Sequence, residues 1–507
     1  MVFLEQYRLD FCCVVIFWFF LFLAQDTLCA PLQIQDADFT CGGKVESDVW
    51  QLWDDSMKEY LNMQQFSTRL KEQGDTYALY DIQTYTHNLV AMARRCQRMD
   101  RLEELAKFFG VAYSTLEAHP EGKIGLAWIC KGGAVCNSKN RLINSEVMLT
   151  SVQFLALTAS LANGLATGDK LHQGEFVKQT VIVGLQHLLR WGDADALRQL
   201  DRKLVAQAQD VKDGSSSLFF TDKYLWMISI YADLAGVLQH QPSLLNEAGV
   251  NDEQLLAIRG HLSRLLKLFA ARTNIELAVG LNGKKVKVAD LDRGFWRLYA
   301  PNKYAGYTGK EKPVICTKQP DGKFKKKILV DAALLNPVNN LGWDISHARR
   351  LVHALNAIER NRRAIQMVFK VEEAILPSDE AIRAFAQQLI IRVWNGDHEF
   401  PLFSNYWSGA NGWYRVGYDI GTNRCVEGSP PYGLTNSFVT GGFASWNRYV
   451  PEIRLLSRRL YWLSRSNEPF HQRFLDKNYP GLGAKANSRK KMLVHMMFWP
   501  ALVEAPQ

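Results

Sequence analysis

Three stretches of the chain carry residue types that could do chemistry together. The first is Leu341-Gly342-Trp343-Asp344-Ile345-Ser346-His347-Ala348-Arg349-Arg350. Residues three apart are neighbours on a helix, so Asp344, His347 and Arg350 share one helix end. Asp344 reads as an N-cap accepting backbone N–H bonds. A carboxylate, an imidazole and a guanidinium at the mouth of an inner helix can also bind or protonate a sugar. The second stretch runs from Trp394 to Asp419 and holds Asp397, Glu399, Trp407, Asn411, Trp413, Tyr414 and Arg415 among several glycines. Sugar rings present apolar C–H faces and polar rims, so a sugar site pairs flat aromatics with Asn, Asp and Arg. The competing reading is that these aromatics staple the loop to the helical body. The third stretch is Thr84-Tyr85-Thr86-His87-Asn88, where His87 and Asn88, with Tyr77, Tyr80 and Tyr85, could line a cleft. A lone histidine on such a helix is more often a hydrogen-bonded core residue. No P-loop, GxSxG, HExxH or EF-hand signature occurs. The expected site therefore uses neither a metal nor a cofactor.

The elements that must position these groups are helices. Amphipathic periodicity runs from Asp48 onward, with helices expected at 77–98, 101–117, 145–166, 175–191, 194–210, 221–239, 252–271, 345–361, 378–394 and 452–464. Short connections between them imply antiparallel neighbours. Several are apolar around much of their circumference, Val147 to Leu161 most of all, and must be buried on two sides. Two segments interrupt the pattern. Residues 274–330 alternate and contain Asn-Gly and Asp-Gly turns, which predicts an inserted, basic β-hairpin region. Its Lys310–Lys327 stretch is either a solvated edge or a rim that guides a polyanion. Residues 395–436 form a long loop of Gly, Pro and aromatics. The tail beyond Asn467 is mixed, basic at 485–491 and apolar at 492–499. The pattern predicts an all-α fold: an α/α toroid of antiparallel helix pairs in a single domain over 31–507, with long loops building a cleft at one end. The loop at 395–419 is expected to fold over the same mouth as the start of the helix at Asp344.

Composition is globular, with 47% hydrophobic and 22% charged residues among 507, which excludes a disordered or collagenous chain. Phe11 to Ala24 is an uncharged run too short to span a bilayer comfortably. Residues 1–30 therefore read as a secretory signal peptide, with an uncleaved anchor as the alternative. No later stretch is expected to span a membrane, so no stable membrane insertion should follow leader removal. Beyond the leader lie Cys41, Cys96, Cys130, Cys136, Cys316 and Cys425, an even count compatible with disulfides in an exported protein. Cys130 and Cys136 flank a Gly-rich turn that could bring them within bridging range. The absence of any Asn-x-Ser/Thr acceptor favours a periplasm over a eukaryotic secretory route. The protein is expected to be secreted or periplasmic. The net charge of +9 suits anionic partners.

At the level of architecture the chain resembles the α/α-toroid polysaccharide lyases and glycoside hydrolases. The resemblance covers most of the chain after the leader, and it carries over no residue role. It implies a polysaccharide partner, anionic or neutral, and no nucleic acid. The leading expectation is cleavage of an acidic polysaccharide by β-elimination. That reaction needs a group that neutralises the uronate carboxylate, a base for the C5 proton and an acid for the leaving oxygen. Asn411 or Arg415 would serve the first role, and Tyr414 or His347 the others. A glycoside hydrolase would instead draw two carboxylates from Asp344, Asp397, Glu399 and Asp419. A non-catalytic glycan-binding or envelope-assembly protein would keep the aromatics without a convergent acid and base.

Overall fold

Local caps start the helices where the periodicity places them. Asp193 accepts the Ala196 amide, Asn251 and Gln254 form a reciprocal capping box, and Asn487 accepts the Lys490 amide. The computed structural model describes residues 38–167, 174–212, 214–418 and 425–505. The expected leader and Asp419 lie outside these residues. Among the described residues the fold is mostly helical, 58% helix and 8% strand, with 16 helices and small two-stranded sheets. The main helices are α1 (Lys44–Leu52), α2 (Tyr77–Arg95), α3 (Met99–Gly110), α4 (Met148–Ala166), α5 (Glu175–Trp191), α6 (Ala194–Val205), α7 (Asp222–His240) and α8 (Asp252–Arg272). After the strand-bearing region come α9 (Ile345–Phe369), α10 (Asp379–Gln388), α11 (Pro451–Arg465), α12 (Pro469–Asn478) and α13 (Ser488–Leu502).

Four helices, α2, α4, α7 and α9, pack side by side in that order. They run in the same direction, because their contacts pair early residues with early and late with late. Tyr80 of α2 meets Arg350 of α9, His87 stacks on His353, and Arg94 meets Asp233 of α7, which in turn binds Arg360. The intervening α3, α5 and α8 carry the chain back and cover this row. Residues 437–448 bridge α9 to α13, and α13 packs along α2. The mixed tail thus forms two helices that the amphipathic pattern did not reveal. Its basic start faces outward, whereas Val494 and Met496 to Leu502 are buried.

α4 is buried on every side from Thr150 to Ala166. At 19 residues with a mean hydropathy of 1.3 it is long and apolar enough to cross a membrane, contrary to the expectation that no such stretch follows the leader. Packing inside the described protein explains its composition instead.

The expected β region is two hairpins. Strands β3 (Thr273–Val279) and β4 (Lys285–Leu291) pair antiparallel, as do β5 (Val314–Lys318) and β6 (Phe324–Ile328). Their turns carry Gly283 and Gly322 at φ +77° and +79°, which the Asn-Gly and Asp-Gly dipeptides supply. A minor pair, β1 (Glu117–Ala118) with β2 (Leu126–Ala127), precedes α4. Three disulfides, Cys41–Cys96, Cys130–Cys136 and Cys316–Cys425, resolve the fifteen possible pairings and fit an oxidising compartment. The last of them ties the β5–β6 hairpin to the aromatic loop.

Two buried carboxylates flank the root of the first hairpin. Burial pushes Asp290 up to about 7, with only the Leu291 amide hydrogen-bonded to it. In the unfolded chain its pKa is about 3.9, so the folded state binds the proton more tightly. Stability should then fall as pH rises from about 4 to about 7 and level off above. Urea unfolding at pH 5 and pH 8 checks this. Asp290→Asn should flatten the slope and raise stability at pH 8; an unchanged slope would contradict the assignment.

Candidate functional site

The aromatic loop docks on the start of α9 through its backbone. The Ile345 amide donates to the Asn405 carbonyl at 3.0 Å, the Trp407 amide donates to Trp343 at 2.8 Å, and Asp344 bridges Tyr406. The expected apposition of the loop and the start of α9 is therefore found at Asn405–Trp407. Close approach requires Gly412, where a Cβ would lie 2.0 Å from the Ala305 carbonyl oxygen.

Asp344 is the centre of what this docking assembles. Its Oδ1 caps α9 by accepting the Ser346 and His347 amides, at 2.9 and 3.1 Å, and also takes the Ser346 hydroxyl. Its Oδ2 accepts from His347 Nδ1 at 2.5 Å and from the Tyr414 hydroxyl at 3.0 Å. Burial alone would raise its pKa, but His347, these hydrogen bonds and Arg415 hold the carboxyl well below the usual carboxylate range. An ionised carboxylate only accepts, so His347 carries its proton on Nδ1. In the neutral ring Nε2 is then the nitrogen with the lone pair, and it has no hydrogen-bond partner among the described residues. The ring sits between Trp296 and Trp343, 5.7 and 6.0 Å away, and stays partly open to solvent.

Arg415 stands beside this pair. Its backbone lies at φ +53°, and its N–H donates a hydrogen bond to the Pro301 carbonyl at 3.0 Å. The guanidinium lies 5.1 Å from both the Tyr414 and Tyr418 ring centres. Tyr299 adjoins Tyr418, and burial together with that neighbour pushes its phenol up to about 12, so it stays protonated at neutral pH. Tyr80 approaches from α2. Its hydroxyl accepts from Arg350 at 3.2 Å and Arg349 at 3.4 Å, and Arg350 also meets Asp222 at 3.4 Å. Burial pushes the Tyr80 phenol up, yet the two arginines outweigh it and leave the pKa below its ordinary value.

Thus Asp344, His347, Tyr414 and Arg415 come together, and the other expected residues do not join them. Trp407 and Trp413 are 0% and 3% exposed, and their indole N–H groups donate to the Ala289 and Gly309 carbonyls. No face is left for a sugar to stack on; they are the staples of the competing reading. Asn411 is consumed inside the loop, accepting the Asn405 and Tyr432 amides. Asp397 closes its own turn onto the Glu399 and Phe400 amides, and Glu399 pairs with Arg459 of α11 on the surface. His87 is a core residue, bonded to Gln83 at 2.8 Å and stacked on His353. Asn88 faces the opposite ends of the helices and donates to the Met497 carbonyl. Tyr414 itself is buried behind Asp344, with its phenol pushed far up by burial and by that carboxylate. It supports the carboxylate and cannot reach a substrate.

Tyr299, Tyr418 and Trp296 were missed. The signal for Trp296 and Tyr299 was the aromatic cluster Phe295-Trp296-Arg297-Leu298-Tyr299, inside a region read only as β and basic, whereas Tyr418 lies within the second stretch without having been picked out of it. Among the described residues, the group of possible metal ligands that lies close enough together is Cys41, Glu46 and Cys96, and both thiols there are spent in a disulfide. No protein family, curated protein or solved structure matches this chain.

Proposed function

We propose that the protein is an exported enzyme that cleaves an acidic polysaccharide by β-elimination at the mouth formed by α9 and the aromatic loop. In this reading the circuit of α2, α4, α7, α9, residues 437–448 and α13 is an α/α toroid, and the mouth is its open end. The observation that carries the proposal is the Asp344–His347 pair: a buried, ionised carboxylate fixes the imidazole tautomer and leaves Nε2 as an accessible base. Arg415 neutralises the uronate carboxylate and acidifies C5. His347 Nε2 removes the C5 proton, the C5–H electrons form the C4=C5 double bond, and the C4–O4 bond breaks. Tyr299, protonated at neutral pH, gives its proton to the departing oxygen. Tyr80 and Tyr418 supply the aromatic walls.

The paired-carboxylate alternative fares worse. A glycosidase acid must be protonated at working pH, while Asp344 is held ionised and Asp397 and Glu399 are engaged on the surface. Incubation with a panel of uronate glycans, read by the absorbance of the unsaturated product, tests the proposal. Reducing ends released without that absorbance would replace it with hydrolysis, and binding without cleavage would leave a glycan-binding protein. On a cleaved glycan, Arg415→Lys should lower kcat/KM by about tenfold to a hundredfold, because Lys keeps the charge and loses the planar fork that holds a carboxylate at two points. Equal rates for the variant and the parent would remove Arg415 from the reaction.

A further inference from the structure

A cavity lies toward the other end of the parallel helices. Residues in the second halves of α2 and α4, the middle of α9 and the start of α3, with 445–454 and 501–505, line this cavity of about 870 Å3. That volume falls in the upper part of the range that binds small molecules. The rings of His87, His353 and Trp226 stack on one another with centres 3.8 to 5.7 Å apart, and His353 also lines the cavity.

Its lining is cationic beyond what the protein neutralises. Arg94, Arg95, Arg360, Arg448 and Arg454 face the space, with Glu504 the one carboxylate among the lining residues. Behind them, Asp233 is shared by Arg94 and Arg360 at 3.3 and 3.2 Å, Glu359 takes Arg448, and Glu504 is shared by Arg454 and Arg458. Six guanidiniums are thus set against three carboxylates. Arg95 has no carboxylate in contact: it donates to the Pro500 carbonyl at 2.7 Å, and its Nε is buried without a partner, with Glu504 and Glu46 acting on it only from a distance. Asn163, 1% exposed and also lining the cavity, leaves its Oδ1 without a partner. The excess charge registers on its neighbours. Burial and Arg360 bring Arg94 down to about 10, and burial and Arg448 do the same to Arg95, both remaining charged at neutral pH.

We infer that this cavity binds a small, multiply charged oxyanion, a sugar or polyol carrying sulfate or phosphate groups. Guanidinium forks match tetrahedral oxyanions at two points. The asparagines and serines between them suit hydroxyls. With His353 the sole aromatic ring in the lining, no platform exists for a nucleobase. The inference does not depend on the chemistry proposed for the mouth.

Calorimetric titration of the mature protein with sucrose octasulfate, with myo-inositol hexakisphosphate and with sucrose tests it. One or both anions should bind at a single site while sucrose does not, and affinity should fall steeply with salt. Binding of only the sulfated or only the phosphorylated probe identifies the group the cavity prefers. Arg95→Gln and the more exposed Arg448→Gln should each weaken binding at least tenfold, with thermal unfolding showing an intact fold. Arg415→Lys, at the mouth, should bind as the parent does. Failure of both anions to bind overturns the inference. So does binding that Arg95→Gln and Arg448→Gln leave unchanged, or that Arg415→Lys alone removes.

Discussion

His347→Gln is expected to lower cleavage of the uronate glycan by about 10²- to 10⁴-fold, the usual contribution of a positioned acid or base. Stability should change little, because the ring is partly open to solvent and the α9 cap is made by Asp344. Asp344→Asn is the sharper companion. Asn is a comparable cap, so its side-chain oxygen can still accept the Ser346 amide and start α9. The charge is lost, however, and an amide that donates toward Nδ1 favours the tautomer with the proton on Nε2. The base is then blocked while the fold remains. Both variants should therefore show near-normal thermal unfolding and little unsaturated product. If Asp344→Asn turned over at the parent rate, Asp344 would be a cap and nothing more.

The largest loss of stability is expected from the buried pair that anchors the first hairpin and the loop after it. Arg272, at the end of α8, donates to Asp292 at 2.7 Å with both side chains almost wholly buried. Asp292 also accepts the Phe220 amide at 3.0 Å and the Trp296 indole at 2.7 Å, so it joins α7's approach to the aromatic wall beside His347. Arg272 reaches the Lys203 and Leu218 carbonyls as well. Removing one partner leaves an uncompensated buried charge, which costs about 3–5 kcal/mol. Arg272→Ala and Asp292→Ala should each lower the urea midpoint accordingly, and the double variant should cost less than the sum. Burial pushes Asp292 up to about 6 despite Arg272, so the Arg272→Ala defect should deepen as pH rises through that value and ease below it. Losses under about 1 kcal/mol would mean that the pair does not hold this region.

Much of this architecture could be read along the chain because its causes are local. Helix α5 begins and ends where its periodicity does, and α2, α4, α7 and α8 differ from expectation by a few residues. Asn282-Gly283 and Asp321-Gly322 supply the positive φ their hairpins need, and Asp344 is the cap its position beside Ile345 suggested. Asp344, His347 and Arg415 were singled out by their residue types, although nothing in the spacing of 347 and 415 required them to meet. What decided the rest was burial, which no local pattern encodes. Trp407 and Trp413 carry the same rings as an exposed sugar platform; they became core because Gly412 lets the loop lie flat on Ala305, while Tyr299 and Tyr418 stay partly exposed beside Arg415. His87 is a stacked core ring because α7 and α9 bring Trp226 and His353 to it. Helices α12 and α13 escaped the periodicity because α13 is polar in its first turns and buried in its last. Only packing against α2 makes that composition a helix with an inside, and only that packing gathers arginines from four separate segments around one cavity.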